Sequence, residues 1–147
     1  MSDRDHLIGE WTLTSWTGAT RDGARIEHGG GSPRGELVYL HSGRMAVQIE
    51  HSGRRRFGST DWAAGDGDER AAAFATFNAY CGTWSLPEPG VVAHHVELAI
   101  HPDHAGMEKR REYDLRGDEL TLRTQDVETS GGPATSELAW RRRKPSS

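Results

Sequence analysis

The sequence predicts an all-β protein, a closed up-and-down antiparallel barrel of about eight strands with one inserted helix near residues 68–80. Three observations predict it. Glycine is abundant, 18 in 147 residues, which suits hairpins and bulges and would weaken helices. Short runs of alternating apolar and polar residues recur along the chain, separated by Gly-containing turns. An antiparallel meander of this length exposes two edges unless it closes on itself, and closure removes both.

Residues 7–17 (LIGEWTLTSWT) are rich in aromatic and β-branched types and open the pattern as a first strand. Strict alternation places Trp11, Leu13 and Ser15 on one face and Thr12, Thr14 and Trp16 on the other. A Gly-rich connection follows, with a short strand at 25–27 and a mobile loop at 29–32. GELVYLHSGRMAVQIE reads as a hairpin turning at His41-Ser42-Gly43. On its return strand Met45, Val47 and Ile49 alternate with Ala46, Gln48 and Glu50. Residues 51–67 are polar and read as loop. The helix over 68–80 is capped by Asp66 or Asp68, carries an Ala run, and is broken by Cys81-Gly82. The remainder is meander: strands at 82–86 and 91–100 about Pro87–Gly90, strands at 108–115 and 119–124 about Arg116-Gly117-Asp118, and a last strand at 136–142. The whole is one domain, 1–147, with a tail at 143–147.

Composition excludes several function classes. Net charge is -4 and the basic residues form no long face, so nucleic acid is not an expected partner. Cys81 is the single cysteine, which rules out an internal disulfide and fits a reducing compartment. No signal-peptide pattern opens the chain, and no apolar run approaches the roughly 20 residues that cross a bilayer. The expectation is a cytoplasmic protein, monomer or homodimer, with no membrane partner.

Leu7-Ile8-Gly9-Glu10-Trp11 resembles the Gly-x-Trp motif that opens the first strand of lipocalins and their relatives. Leu138-Ala139-Trp140-Arg141-Arg142 resembles their last strand. The resemblance implies that a terminal arginine packs over the first-strand tryptophan and closes the barrel, a cation–π pair worth roughly 0.5–2 kcal/mol. Alternation leaves open whether Arg141 or Arg142 reaches Trp11. The fuller match is to the bacterial and fungal lipocalin-like domain family, of the calycin-type barrels. It runs through Ser32-Pro33-Arg34-Gly35, Leu37-Val38-Tyr39, Gly43-Arg44-Met45, Tyr80-Cys81-Gly82, His94-His95-Val96-Glu97, Gly106, Arg111, and Gly117-Asp118 leading into Leu120-Thr121-Leu122. It covers residues 7–142. Residues 100–106 (IHPDHAG) depart from the pattern, lacking an expected tryptophan. Such a barrel hosts carriers and catalysts alike, so the resemblance implies fold more than function.

The candidate site residues follow from alternation. His94 and His95 are strand neighbours, so one of them faces inward. Val92, Val96 and Leu98 share parity with His94, which makes it the expected inward residue, a bulge being able to reverse the choice. A neutral imidazole there orients a carbonyl or moves a proton; the bland alternative is a hydrogen-bonded core histidine. Arg111 shares a face with Tyr113 and Leu115 and needs a partner, either an acidic or enolic ligand or an ion pair with Glu97 or Glu108. Tyr39 and Tyr80 offer phenolic donors, or simply pack. Trp84, Met45 and Val47 supply an apolar wall, and Arg44 stands at a rim. His94, His95, His101 and His104 lie close together in sequence, yet without a Cys set or a two-histidine helix motif they call for no metal. No phosphate loop or nucleophile elbow is present, so no cofactor is expected.

The function expected from these residues is binding of a small hydrophobic or polyketide-like molecule in the barrel. The first hypothesis is a cofactor-independent cyclase, isomerase or dehydratase of secondary metabolism, with His94, Arg111 and Tyr80 as its catalytic groups. Tyr39, Trp84, Met45, Val47, His95, Tyr113 and Arg44 then line the ligand. The alternative is a non-catalytic carrier or sequestering protein; a self-filled interior would leave only a structural module.

Overall fold

The computed structural model describes residues 2–129 and 132–144; the part of the expected tail beyond Lys144 lies outside the described residues. The chain runs α1 (Asp3–Leu7), β1 (Gly9–Ala19), β2 (Arg25–Glu27), β3 (Arg34–Tyr39), β4 (Arg44–Glu50), α2 (Gly67–Ala75), β5 (Phe77–Glu88), β6 (Val91–Ala99), β7 (Glu108–Arg116), β8 (Glu119–Thr129) and β9 (Gly132–Arg142), with short 3-10 turns at Gly29–Gly31 and Pro102–His104. The sheet order is β2-β1-β3-β4-β5-β6-β7-β8-β9, and β1 also pairs with β9. Eight strands therefore close into a barrel, with β2 an extra short strand. The lower half of β1 pairs with β3 through Gly9–Thr12, and its upper half pairs with β2 through Thr17–Ala19.

Two bulges decide which side chains enter the barrel. In the β1–β9 pairing, Leu13 faces Trp140 but Ser15 faces Ala139, so one residue of β1 is left over. The alternation slips there. Ser15 is exposed, and Trp16 rejoins the side of Trp11 and Leu13, its Nε1 donating to Ser136 Oγ at 2.7 Å. In the β5–β6 pairing, Gly82 faces Val96 but Cys81 faces Leu98. Val92 and Val96 stay inside, at 0% and 3% exposure, while Leu98 turns outward at 69%, against the strict-alternation reading. Gly82 is required at this slip, since a Cβ on it would meet the His95 carbonyl oxygen.

Other expectations are corrected in detail. Helix α2 stops at Ala75, with Thr76 Oγ1 donating to Ala72 O at 2.7 Å. From Phe77 the chain pairs with β4, so Tyr80, Cys81 and Gly82 belong to a strand. Asp66 is the N-cap, in a capping box with Glu69. The expected mobile loop at 29–32 is a turn pinned by Ser52, whose Oγ donates to Gly30 O at 2.8 Å. Helix α1 was not expected; its Ser2/Asp5 capping box is the signal that reveals it. Arg143 is no part of a free tail, since its N–H donates to Glu10 O at 2.8 Å. Among the described residues no helix is long and apolar enough to cross a membrane.

The floor of the barrel is built around Trp11, 1% exposed. The Arg142 guanidinium carbon lies 4.4 Å from its ring centroid. Arg142 donates to Ile8 O at 2.9 Å and to His6 O, and pairs with Asp118 at 3.3 Å. Gly9, at φ 141°, leaves space for that guanidinium, which would sit 2.9 Å from a Cβ. Helix α1 sets Leu7 in the floor at 0% exposure, and Trp11 Nε1 donates to Leu7 O at 3.0 Å. Arg142, not Arg141, is the closing arginine; Arg141 pairs with Glu119 at the surface.

Replacing Arg142 with Ala removes the cation–π pair and two donors to floor carbonyls, and should cost about 2–3 kcal/mol in urea unfolding with the slope unchanged. Arg141→Ala should stay within about 0.5 kcal/mol, as a surface pair does. Equal losses for the two variants would refute this assignment of the closing residue.

Candidate functional site

Alternation along β3, β5 and β6 brings Tyr39, Tyr80 and His94 together inside the barrel. Tyr39 is 0% exposed, His94 2% and Tyr80 9%. The Tyr39 hydroxyl lies 2.6 Å from His94 Nε2 and the Tyr80 hydroxyl 2.7 Å from His94 Nδ1. Both ring nitrogens are thereby engaged. Trp84, which pairs with His94 across β5–β6, packs its ring 4.7 Å from that of Tyr39 and donates from Nε1 to Leu40 O at 3.0 Å. Met45 and Val47 are buried in the same core at 2% and 6% exposure.

The cluster is neutral and sits in a positive field. Burial, with the charge of Arg111 and then of Lys109, lowers the His94 pKa from 6.5 to about 3. Burial raises Tyr80 to about 12, with Arg111 opposing the rise. Burial likewise lifts Tyr39 well above its usual value. A neutral imidazole has one N–H donor and one bare acceptor. One tyrosine must therefore donate to the bare nitrogen, and the other must accept from the ring N–H. In either tautomer the accepting tyrosine keeps its own O–H proton for another partner, and the Arg111 guanidinium has no acceptor to offer. The cluster thus leaves one phenolic donor uncommitted among the described residues.

β7 contributes the cations. Lys109, 8% exposed, pairs through its backbone with His94. Its Nζ lies 4.7 Å from the Tyr80 ring centroid and 2.9 Å from His104 Nδ1. His104 stacks on His101, ring centroids 4.3 Å apart. Arg111 is half-buried two residues on. Lys109 was missed from the sequence, although the parity that sets Arg111 inward also sets Lys109 there. Trp140 Nε1, also buried in the core, finds no hydrogen-bond partner among the described residues.

The other candidates stand elsewhere. His95 is on the opposite face of β6, its Nε2 2.9 Å from Ser85 Oγ. Arg44 pairs with Glu97 at 2.7 Å on an exposed surface. Arg111 takes neither acidic partner expected of it: Glu97 belongs to Arg44, and Glu108 pairs with Arg110 at 3.3 Å. Tyr113 donates to Asp3 of α1 at 2.7 Å; burial first, and then this contact, raise its pKa to about 12. A surface pocket of about 1080 Å³ lies along the loop after β4, lined by Arg34, Arg54, Arg55 and Arg56 rather than by the cluster.

A closed eight-strand antiparallel barrel around a buried polar cluster defines a calycin-type β-barrel, an architecture with room for side chains or one small ligand. The chain belongs to the lipocalin-like domain family, whose sequence profile matches residues 8–143. It is also similar to a 4'-hydroxy-3'-methoxypropiophenone carrier protein of Aspergillus oryzae, with 27% identity over 106 residues, covering 67% of this chain and 96% of that protein.

His94 stays neutral in the folded state but takes up a proton in the unfolded state near pH 6.5. Its contribution to stability is therefore complete above that pH and lost as pH falls from 6.5 toward about 3. Urea midpoints should fall across this window, and His94→Gln should flatten the fall. Parallel curves for the two proteins would show that His94 is not buried as a neutral group.

Proposed function

We propose that this protein binds a small hydrophobic molecule through a carbonyl or phenolic oxygen, and acts as its carrier. The observation that carries the reading is the Tyr39–His94–Tyr80 chain with its uncommitted hydroxyl. A buried donor without a partner costs about 1–3 kcal/mol, and a ligand oxygen relieves that cost. Exposure rises from Tyr39 through Tyr80 to Arg111, so the ligand oxygen approaches from the Tyr80 and Arg111 side. The named ligand of the Aspergillus oryzae relative is an aryl ketone with a phenol, which fits such donors.

Carriage ranks ahead of catalysis on a point of basicity. Isomerases and dehydratases that remove a proton need a base whose pKa lies near the working pH. His94 lies far below it, with both nitrogens occupied. One observation keeps a second reading, a cofactor-independent cyclase, isomerase or dehydratase. The two phenols and the imidazole form a continuous path for proton transfer, and Arg111 beside them stabilises a developing enolate.

The test is titration with 4'-hydroxy-3'-methoxypropiophenone, followed by tryptophan fluorescence, with chromatography of the recovered compound. Saturable binding and unchanged compound are expected, weakened about fivefold or more by Tyr80→Phe, as for loss of one hydrogen bond. Binding indifferent to both Tyr80→Phe and Tyr39→Phe contradicts the site, and a converted compound reverses the order of the two readings.

A further inference from the structure

The chain has 18 basic residues, and only two of them, Lys109 and Lys144, are lysines. Lys144 is exposed beyond β9, whereas Lys109 is 8% exposed on the inner row of β7. The described surface ion pairs all use arginine, as in Arg25–Glu27, Arg44–Glu97 and Arg143–Glu36. Lysine thus occupies the most buried cationic position of the chain. The distinction matters chemically, because a guanidinium keeps its proton while a lysine that loses one becomes a nucleophile.

The surroundings of Lys109 favour that loss. Among the described residues it forms no ion pair. Its Nζ lies 2.9 Å from His104 Nδ1, a ring nitrogen able to accept a proton, and over the face of Tyr80. Burial and the charge of Arg111 bring its pKa from 10.5 down to about 8. His104 is itself held below its usual value, first by burial and then by the Lys109 charge, so it holds the Lys109 proton only transiently and hands it on.

We propose that Lys109 captures its ligand covalently and reversibly, its amine condensing with the carbonyl carbon of an aldehyde or ketone held against Tyr80 to form a Schiff base. This rests on the carbonyl-binding reading above. His104 takes the proton that the ammonium gives up. The freed nitrogen lone pair forms the C–N bond while the carbonyl π pair moves to oxygen, and one N–H proton passes to that oxygen, giving a carbinolamine. The nitrogen lone pair then forms C=N and expels the hydroxyl, which takes the proton held by His104 and leaves as water. Ammonium plus carbonyl becomes protonated imine plus water, with no change of oxidation state. The phenolic donors of the cluster polarise the carbonyl, and the low exposure of the site slows return by hydrolysis.

The experiment uses the full chain with 4-hydroxybenzaldehyde as probe near neutral pH, sodium cyanoborohydride to reduce any imine, and peptide mass mapping. Lys144 is the internal control. The proposal expects labelling of Lys109 to exceed that of Lys144 by more than about tenfold, because Lys109 lies against Tyr80 and His104 where the probe carbonyl is held and its lowered pKa of about 8 frees the amine. It also expects His104→Phe to slow labelling severalfold while the probe still quenches tryptophan fluorescence. Equal labelling of the two lysines overturns the proposal. Probe binding without any Lys109 adduct overturns it alone and leaves the carbonyl-binding reading standing. Absence of binding overturns both.

Discussion

The pairing of β1 with β9 turns a meander with two free edges into a barrel with an inside. β1 is shared three ways, with β3 below, β2 above and β9 along its other edge. The floor holds this junction together, with Arg142 of β9 laid over Trp11 of β1 and bonded to the carbonyls that lead into it. Arg143 adds a second tie, to Glu36 of β3. Once the edges are joined, side chains deep in the barrel, such as Tyr39 at 0% and His94 at 2% exposure, are shut off from water. Each polar group among them needs a partner inside, because an unpaired one is costly.

That requirement shapes the site. Tyr39, Tyr80 and His94 come from three strands, and each satisfies another. Burial holds the imidazole neutral and the phenols protonated, and the positive charges on β7 reinforce the first effect while opposing the second. The result is a donor-rich cluster with no carboxylate among its described members, which favours the proposed reading of a site that receives an oxygen. Asp3 sits at the closed end instead, where it engages Tyr113, while Arg4 of the same helix lies 4.9 Å from the Trp84 ring. One short helix thus ties the floor to the wall beneath the cluster.

Much of this was legible in the sequence wherever period-two alternation holds. The parity of Val92, His94 and Val96, of Tyr80 and Trp84, and of Met45 and Val47 sets those side chains inward, as observed. The readings failed at the bulges. A single extra residue near Thr14 brought Trp16 inside, and one near Glu97 turned Leu98 out. Neither slip has a local signature, since both arise from the fit between neighbouring strands. The end of α2 was hidden for a related reason. Phe77 to Tyr80 carry a helix-compatible sequence, but pairing with β4 outweighs weak local propensity. Arg142 could not be chosen over Arg141 without the register of β9 on β1. Lys109 is legible by the same parity as Arg111, and the structure places it inside at 8% exposure.

The proposed carrier role depends on a neutral His94 held between Tyr39 and Tyr80. Nitrogen-detected NMR of the imidazole side chains, with and without 4'-hydroxy-3'-methoxypropiophenone, tests it most directly. The His94 ring should stay in one neutral tautomer from neutral pH down through the usual histidine range near 6.5. Both His94 nitrogen shifts should move when the ketone binds. A His94 that titrates near 6.5, or shifts that ignore a bound ketone, would contradict it.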